Sequence, residues 1–220
     1  MCGRFVLAAS QYQIEHAFEV QLDHYQQRYN IAPGQHIIIV ASGLHRRGTL
    51  SSLWGLRRHD GSLLINIRSE TITTKPHFYR LLQQQRCIIP ASGFYEWSKG
   101  RASHPYYITA ADFPLIGFAG VYLTEPTSND RQSSARCAIV TRSADDPIAA
   151  IHDRMPVVIP TELYDEWLSP NADGAEVLAR ALSQQSLVWR CLPVSRCVGN
   201  VAYDDPALVS PVEERRLPLE

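Results

Sequence analysis

The chain has 220 residues, a formal net charge of −1 and a hydrophobic fraction of 45%, which suits one globular domain with a sizeable core. No apolar run reaches the ~18 residues that a membrane span needs, and the start of the chain has no secretory signal pattern. The five cysteines form no CxxC pair, which argues against a disulfide scaffold or a zinc site. We therefore expect an intracellular, cytoplasmic protein that needs no metal or other cofactor.

Predicted strands outnumber predicted helices along the chain. Amphipathic spacing predicts helices at Gln11–Val20, Thr74–Gln85, Asp145–Ile151, Thr161–Leu168 and Ala175–Leu182, the last capped by Asp173. Apolar runs between turn formers predict strands at His36–Ala41, Thr49–Trp54, Leu63–Ile67, Arg86–Ile89, Phe94–Trp97, Tyr106–Ala110, Leu115–Leu123, Arg136–Thr141, Met155–Ile159 and Leu187–Leu192. Since strands and helices do not alternate strictly, we expect an α+β, mainly β fold in a single compact domain. We assign residues 2–204 to this domain and expect residues 205–220 to form a mobile tail.

Cys2 differs from the other cysteines because it stands next to the start of the chain. Removal of Met1 would leave an α-amine and a thiol on adjacent carbons. The reference pKa values of these groups, about 7.7–8.0 and about 8.5, give both a reactive fraction near neutral pH. An aldehyde can form a Schiff base with such an amine, and the thiol can then close a five-membered thiazolidine ring. The alternative is a cysteine that stands at this position by chance.

Three further polar residues are candidates for a site. Asn66 ends an apolar run, Glu96 lies between aromatic residues in GFYEW, and His152 stands in AIHDRMP. Taken singly, Glu96 could equally be a solvent-facing strand residue. His152 could equally cap a helix or join a salt bridge. None of the three establishes a site alone.

Sequence blocks along nearly the whole chain form a pattern. They are MCGRF at 1–5, RYNIAPG at 28–34, WGL at 54–56, NIRSET at 66–71, CIIPASGFYEW at 87–97, FAGVY at 118–122, IVTRSA at 139–144, IHDRMPVVI at 151–159 and VSRCVGNV at 194–201. In this order they resemble the SRAP family, whose name means SOS-response-associated peptidase. The first block, GFYEW and IHDRMP are the most specific to that family. The resemblance implies a compact, mostly β fold with a central groove for single-stranded DNA.

The same resemblance implies a function in the DNA damage response. A family member senses and shields abasic sites in single-stranded DNA, and Cys2 would form a covalent thiazolidine crosslink with the abasic-site aldehyde. Asn66, Glu96 and His152 match the family's active-site positions. The family also implies lyase-type activity at abasic sites and a peptidase that acts on its own N-terminus. We expect a monomer that associates with the nucleoid on damage.

The resemblance also implies residues that contact DNA. They are Arg4, Arg68, Trp54, Thr141 and Arg154. All basic residues except two lysines are arginines, and the planar guanidinium suits bidentate contacts with phosphate. The segment WGLRRHDGSLLIN is shorter than in many relatives and has arginines where an apolar wedge would stand. It therefore predicts weaker or more electrostatic recognition of a DNA junction.

Two other functions fit part of the sequence. A class II glutamine amidotransferase also begins with Cys-Gly after loss of methionine, but the later blocks give no segment for recognising glutamine. A non-covalent single-stranded DNA-binding protein would explain the arginines and aromatic residues. It would give Cys2, Glu96 and His152 no shared role, so the covalent reaction is the better hypothesis.

Overall fold

The computed structural model describes residues 2–42, 47–100, 103–125, 134–184 and 187–212. Met1 and the end of the expected tail, residues 213–220, lie outside this described part. Within it, no helix has the length and apolar character needed to cross a membrane.

The described fold contains more strand than helix, and the predicted α+β, mainly β class is confirmed. The strands are β1 (Phe5–Leu7), β2 (Arg28–Ile31), β3 (His36–Ser42), β4 (Arg47–Trp54), β5 (Leu56–Arg57), β6 (Leu63–Leu64), β7 (Asn66–Arg68), β8 (Arg86–Ala91), β9 (Gly93–Trp97), β10 (Pro105–Ala110), β11 (Ile116–Glu125), β12 (Ser134–Ser143), β13 (Arg154–Pro156), β14 (Val158–Ile159) and β15 (Trp189–Pro193). The α-helices are α1 (Gln11–Phe18), α2 (Ser69–Ile72), α3 (Pro76–Gln84), α4 (Tyr164–Leu168) and α5 (Gly174–Ser183). Short 3-10 helices lie at Ile148–Ala150, Thr161–Leu163, Arg196–Gly199 and Pro206–Val209.

A closed ring of strands forms the main core. Strand β12 closes the ring because its residues 135–137 pair with β4 and its residues 134–139 pair with β11. Strands β3 and β8 complete it between β4 and β11. Apolar side chains on both faces of the ring are fully buried, including those of Ile39, Ile88 and Phe118. Burial of this apolar surface is the main driving force for folding.

The part of β12 beyond the ring pairs with other strands. Residues 139–141 run parallel to β7, and residues 141–143 run antiparallel to β13. A second sheet, in the order β15–β10–β9–β1–β2, places the N-terminal strand β1 directly beside β9. The two sheets therefore bring β1, β7, β9, β12 and β13 together from distant parts of the sequence.

A buried arginine anchors the helices to the ring. Arg86 begins β8 and is only 4% exposed. Its guanidinium donates hydrogen bonds to the backbone carbonyls of Leu82, Gln83, Trp167, Ser169 and Ala172. A Cβ atom on Gly174 would lie 2.0 Å from the Leu82 carbonyl oxygen, so glycine is required where α5 approaches this anchor. We call this group of contacts the Arg86 clamp.

The C-terminal segment is tied back to β2. The Asn30 amide donates to the carbonyls of Asn200 and Tyr203, and Asp204 accepts from the Asn30 N–H group at 3.1 Å. Further along, Leu208 is buried and the Val212 N–H group donates to Pro193 O at 2.8 Å. The segment expected to be mobile from residue 205 is therefore packed on the domain as far as residue 212.

Several predicted elements differ in their bounds from those in the structure, and three of them show why. The first helix ends at Phe18, two residues early, because Glu19 adopts a left-handed conformation with φ 55°. Helix α3 begins at Pro76 and not at Thr74, since proline suits the first helical position. The predicted strand Leu63–Ile67 is divided at Ile65, because β6 pairs with β5 whereas β7 pairs with β12.

Candidate active site

Cys2 lies in the interior, beside β9. Strand β1 pairs with β9 at Phe5 and Phe94, and the Tyr95 N–H group donates to Arg4 O at 2.9 Å. This pairing directs the residues before Phe5 towards Glu96. Cys2 is fully buried, and its Sγ lies 4.0 Å from Arg4 O. Burial, followed by the negative charge of Glu96, raises the pKa of the thiol well above its ordinary value.

Asn66 fixes the backbone of Cys2. It begins β7, where pairing with Ile139 of β12 holds it in place. Its Nδ2 donates to Cys2 O at 2.8 Å, and the residue is 6% exposed. Its Oδ1 is buried and accepts no hydrogen bond from the described residues. A buried acceptor without a donor is costly, so this oxygen is suited to receive a hydrogen from the reacting groups.

Glu96 brings a buried carboxyl group to the same place. It lies in β9, opposite Tyr106 of β10, and is 3% exposed. One carboxyl oxygen, Oε1, is 3.9 Å from His152 Nδ1. Burial raises the pKa of Glu96 to about 7, because the charged form loses its hydration. A carboxyl group with this pKa can both take up and release a proton near neutral pH.

His152 stands at the edge of the site, two residues before the start of β13. The Arg154 N–H group donates to its Nδ1 at 3.0 Å, and Asp153 Oδ1 lies 3.2 Å from the same nitrogen. The Arg154 carbonyl oxygen also lies 3.2 Å from this nitrogen, so Nδ1 faces one donor and two acceptors, and its role depends on which ring nitrogen carries the proton. Burial is the main cause that lowers the pKa of His152. The neutral ring is thereby favoured, and it carries one transferable proton.

Arg68 and Thr141 border the same site. They face each other in the pairing of β7 with β12, and Arg68 is exposed. Thr141 is fully buried, and its Oγ1 accepts or donates no hydrogen bond within the described residues. The structure thus brings Cys2, Asn66 and Glu96 together, and it places Arg68 two residues beyond Asn66 in β7, opposite Thr141.

The other residues expected to contact DNA have internal partners. Arg4 is half-buried, and its Nη1 donates to Asn30 Oδ1 and Val198 O, both at 2.7 Å. Trp54 is fully buried, packs edge-on against Phe5 at 5.2 Å between ring centroids, and donates from Nε1 to Ile65 O. Trp54 is therefore a core residue and its ring does not reach a DNA-binding surface in this conformation.

Arg154 is also buried, at 7% exposure. Its guanidinium forms a bidentate ion pair with Glu70 and a hydrogen bond to Thr141 O. It therefore faces the protein and not the solvent. Sequence reasoning gave Glu70 and Asn30 no role, although both stand in blocks that carry the family resemblance. Within the described residues, no group of His, Cys, Asp and Glu side chains is arranged to hold a metal ion.

Comparison with known proteins decides the family. The model of the SOS response associated peptidase family, SRAP, matches residues 1–201. The chain belongs to the SRAP family. One SRAP relative is the abasic site processing protein YoaM of Bacillus subtilis, which is 36% identical over 83% of this chain and 85% of its own length. Another is YedK of Escherichia coli, with the same descriptive name, at 34% identity over 84% and 85% of the two chains.

Solved structures share the SRAP fold of this chain. A protein from Bacteroides thetaiotaomicron covers 96% of this chain and all of its own, with a TM-score of 0.82 at 20% identity. A phage-related protein from Bordetella bronchiseptica, 28% identical, covers 89% of this chain and 95% of its own, with a TM-score of 0.71. The predicted SRAP fold is confirmed.

Proposed function

We propose that this SRAP protein binds single-stranded DNA and shields abasic sites by linking Cys2 covalently to the sugar aldehyde. The observation that carries the proposal is the convergence of Asn66 and Glu96 on Cys2. Asn66 is bonded to Cys2 at 2.8 Å, and the Glu96 charge acts on the Cys2 thiol. Relatives that are named abasic site processing proteins supply the class of substrate.

The raised pKa of the thiol suggests an order of steps. A thiol held neutral is a poor first nucleophile, so the Cys2 amine, freed by removal of Met1, attacks the aldehyde carbon first. Loss of one water from the addition product gives the Schiff base. The sulfur then adds to the same carbon, and the thiol proton passes to the nitrogen. The product is a neutral thiazolidine ring.

Glu96 and His152 divide the proton transfers in this proposal. Glu96 lies beside the sulfur and has a pKa of about 7, so it carries protons between water, amine and thiol. His152 gives a ring proton to the ring oxygen of the closed sugar and so exposes the aldehyde. Asn66 Oδ1 accepts a hydrogen bond from the amine. Arg68 is exposed beside them and holds a neighbouring phosphate, which makes binding dependent on salt.

Two further activities follow from the same groups. A Schiff base at the abasic sugar makes the adjacent proton acidic, and loss of that proton expels the 3′ phosphate, which is a lyase reaction. The family name points to peptidase activity, and removal of the chain's own first residue is the form that this chemistry requires. Both activities are proposed as secondary to the stable crosslink.

Intact-mass analysis after incubation with an abasic oligonucleotide tests the proposal. The wild type should gain the mass of the oligonucleotide less one water, and the protein part should lack Met1. Cys2→Ala should form no stable adduct but keep much of its non-covalent affinity. Cys2→Ser should form only a Schiff base that borohydride can trap.

Cys197→Ala is the matched control, because Cys197 is a free and exposed cysteine. It should form the adduct as fast as the wild type. Equal adduct formation by the wild type and Cys2→Ala would refute the proposal and point to the side-chain amine of Lys75 or Lys99, the two lysines of the sequence. A fully active protein that retains Met1 would also refute it.

A further inference from the structure

The guanidinium of Arg154 is held on several sides. Its Nη1 donates to Glu70 Oε1 at 2.8 Å, and its Nη2 donates to Glu70 Oε2 at 3.0 Å and to Thr141 O at 2.7 Å. Ser143 Oγ lies 3.5 Å from Nη1. The planar face formed by Nη1 and Nη2 is therefore occupied by one carboxylate. We call this face the Arg154 fork.

The two members of this ion pair differ in exposure. The Arg154 side chain is 9% exposed, whereas the Glu70 side chain is 58% exposed. Glu70 lies in α2, two residues after the exposed Arg68. The carboxylate thus covers the Arg154 fork from the solvent side, next to the arginine that we expect to bind phosphate. Of the two, only Glu70 can leave without moving the core.

A carboxylate and a phosphate present the same features to a guanidinium. Each offers two oxygens at a spacing that accepts two parallel N–H bonds. The Arg154 hydrogen bond to Thr141 keeps the fork in place when one anion replaces the other. When a phosphate replaces the Glu70 carboxylate, the buried charge of Arg154 keeps a partner. An unpaired buried charge would be strongly unfavourable.

We propose that Glu70 is an internal competitor of DNA, whose carboxylate occupies the Arg154 fork in the free protein and leaves it when a backbone phosphate enters. The inference rests on the proposed function in one respect, namely that the strand passes Arg68 and Thr141. It explains how Arg154 can be buried in an ion pair and still contact DNA. It also means that Glu70 weakens binding to every single strand, damaged or not.

Charge supports the competition. Glu70 is ionised at neutral pH, since the hydrogen bonds from Arg154 lower its pKa to about 2. It is therefore a full anion in the fork. When the Glu70 carboxylate leaves the fork, it stays near the DNA backbone. Repulsion between this carboxylate and the phosphates then opposes binding, in addition to the loss of the Glu70–Arg154 ion pair. Removing the charge of Glu70 should thus strengthen binding, which is the opposite of what a purely structural role predicts.

Non-covalent binding to an undamaged single-stranded oligonucleotide tests this inference, in a Cys2→Ala background and by fluorescence anisotropy. Glu70→Gln should bind about five- to tenfold more tightly, of the order expected for one added charged contact. The gain should vanish when Arg154→Met is added. Glu70→Asp keeps the charge but has a shorter reach to the fork, so it should give a smaller gain in the same direction.

The matched control is Glu166→Gln, because Glu166 also pairs with an arginine, Arg180, in an exposed ion pair. It changes the net charge equally and should leave affinity within twofold. Unchanged or weaker binding by both Glu70 variants overturns the inference, as does a Glu70→Gln gain that persists beside Arg154→Met. Failure of Cys2 crosslinking does not affect these measurements, so the two proposals can fail separately.

Discussion

Two buried polar regions of this protein differ in how completely their hydrogen bonds are made. In the Arg86 clamp, the guanidinium meets backbone carbonyls on every side. In the candidate active site, Asn66 Oδ1 and Thr141 Oγ1 are buried without partners among the described residues. Native proteins satisfy nearly all buried polar groups, so unsatisfied ones call for an explanation.

This difference in hydrogen bonding indicates that the Arg86 clamp serves stability and that the candidate active site serves function. A fully bonded polar group holds elements together and has no capacity left for a ligand. A buried oxygen without a partner lowers stability in the free protein and gains a partner when substrate arrives. The clamp should therefore respond to mutation through the free energy of unfolding, and the site through the rate of adduct formation.

The largest effect is expected for Glu96→Gln. The change keeps the shape of the side chain and removes its acid–base function, so adduct formation should slow by roughly 10²–10⁴-fold. His152→Ala should slow the reaction with a closed abasic sugar but much less with a simple open aldehyde. Time courses with the two substrates check this. Equal losses by both variants on both substrates would contradict the division of proton transfers.

Arg86→Met should have the largest effect on stability. Five carbonyls lose a donor, and each that stays unsatisfied costs about 1–3 kcal/mol, so the free energy of unfolding should fall by roughly 5 kcal/mol or more. Denaturant titration measures it. Adduct formation at low temperature, where the variant remains folded, should be close to the wild-type rate. A folded Arg86→Met protein with normal stability but slow adduct formation would contradict the assignment of the Arg86 clamp to stability.

The pH dependence of stability gives a further test of the difference between the Arg86 clamp and the candidate active site. The folded pKa of Glu96, about 7, is above its ordinary value of 4.5, so its contribution to stability is complete below pH 4.5 and is lost as the pH rises through 7. The wild type should lose up to about 3 kcal/mol relative to Glu96→Gln over that interval. Activity should change in the opposite direction, since the base form of Glu96 accumulates. Parallel stability curves for the two proteins would show that the carboxyl is not buried.

Thr141→Val should give the smallest effect. The substitution removes a buried hydroxyl that has no partner among the described residues, so stability should stay the same or rise by up to about 1 kcal/mol. Adduct formation should slow by less than about tenfold, the effect of one lost neutral hydrogen bond. Thermal unfolding and a time course measure both. A loss of more than about 1 kcal/mol would mean that the hydroxyl is already bonded in the free protein.

Local sequence signals predicted much of the fold but not its long-range pairing. Asp173 caps α5 as expected, because its side chain accepts from the Ala175 and Glu176 N–H groups close by in the chain. The division of Leu63–Ile67 at Ile65 could not be foreseen, since it depends on β7 leaving the neighbouring strands and pairing with β12, far along the chain. Periodicity reports the conformation of a segment and carries no information about its partner.

The positions of the candidate site residues show the same limit. Cys2, Asn66 and Glu96 meet in the structure, whereas Trp54 lies in the core. For a tryptophan at the end of a strand, the local sequence does not indicate whether the ring points into the core or towards the solvent. The partner of Arg154, Glu70, is 84 positions away, and no spacing rule joins them. The Arg86 clamp was missed because its partners are backbone carbonyls, which every sequence has.

The bonds between Asn30 and the C-terminal segment also bear on how the chain folds. They join residues 168 to 174 positions apart. During synthesis, the segment that holds β2 is therefore made long after β2 itself. Contacts of such high sequence separation slow folding, because a long loop must close before they form. The packing around Asn30 in β2 can therefore be completed only after the residues up to Asp204 have left the ribosome.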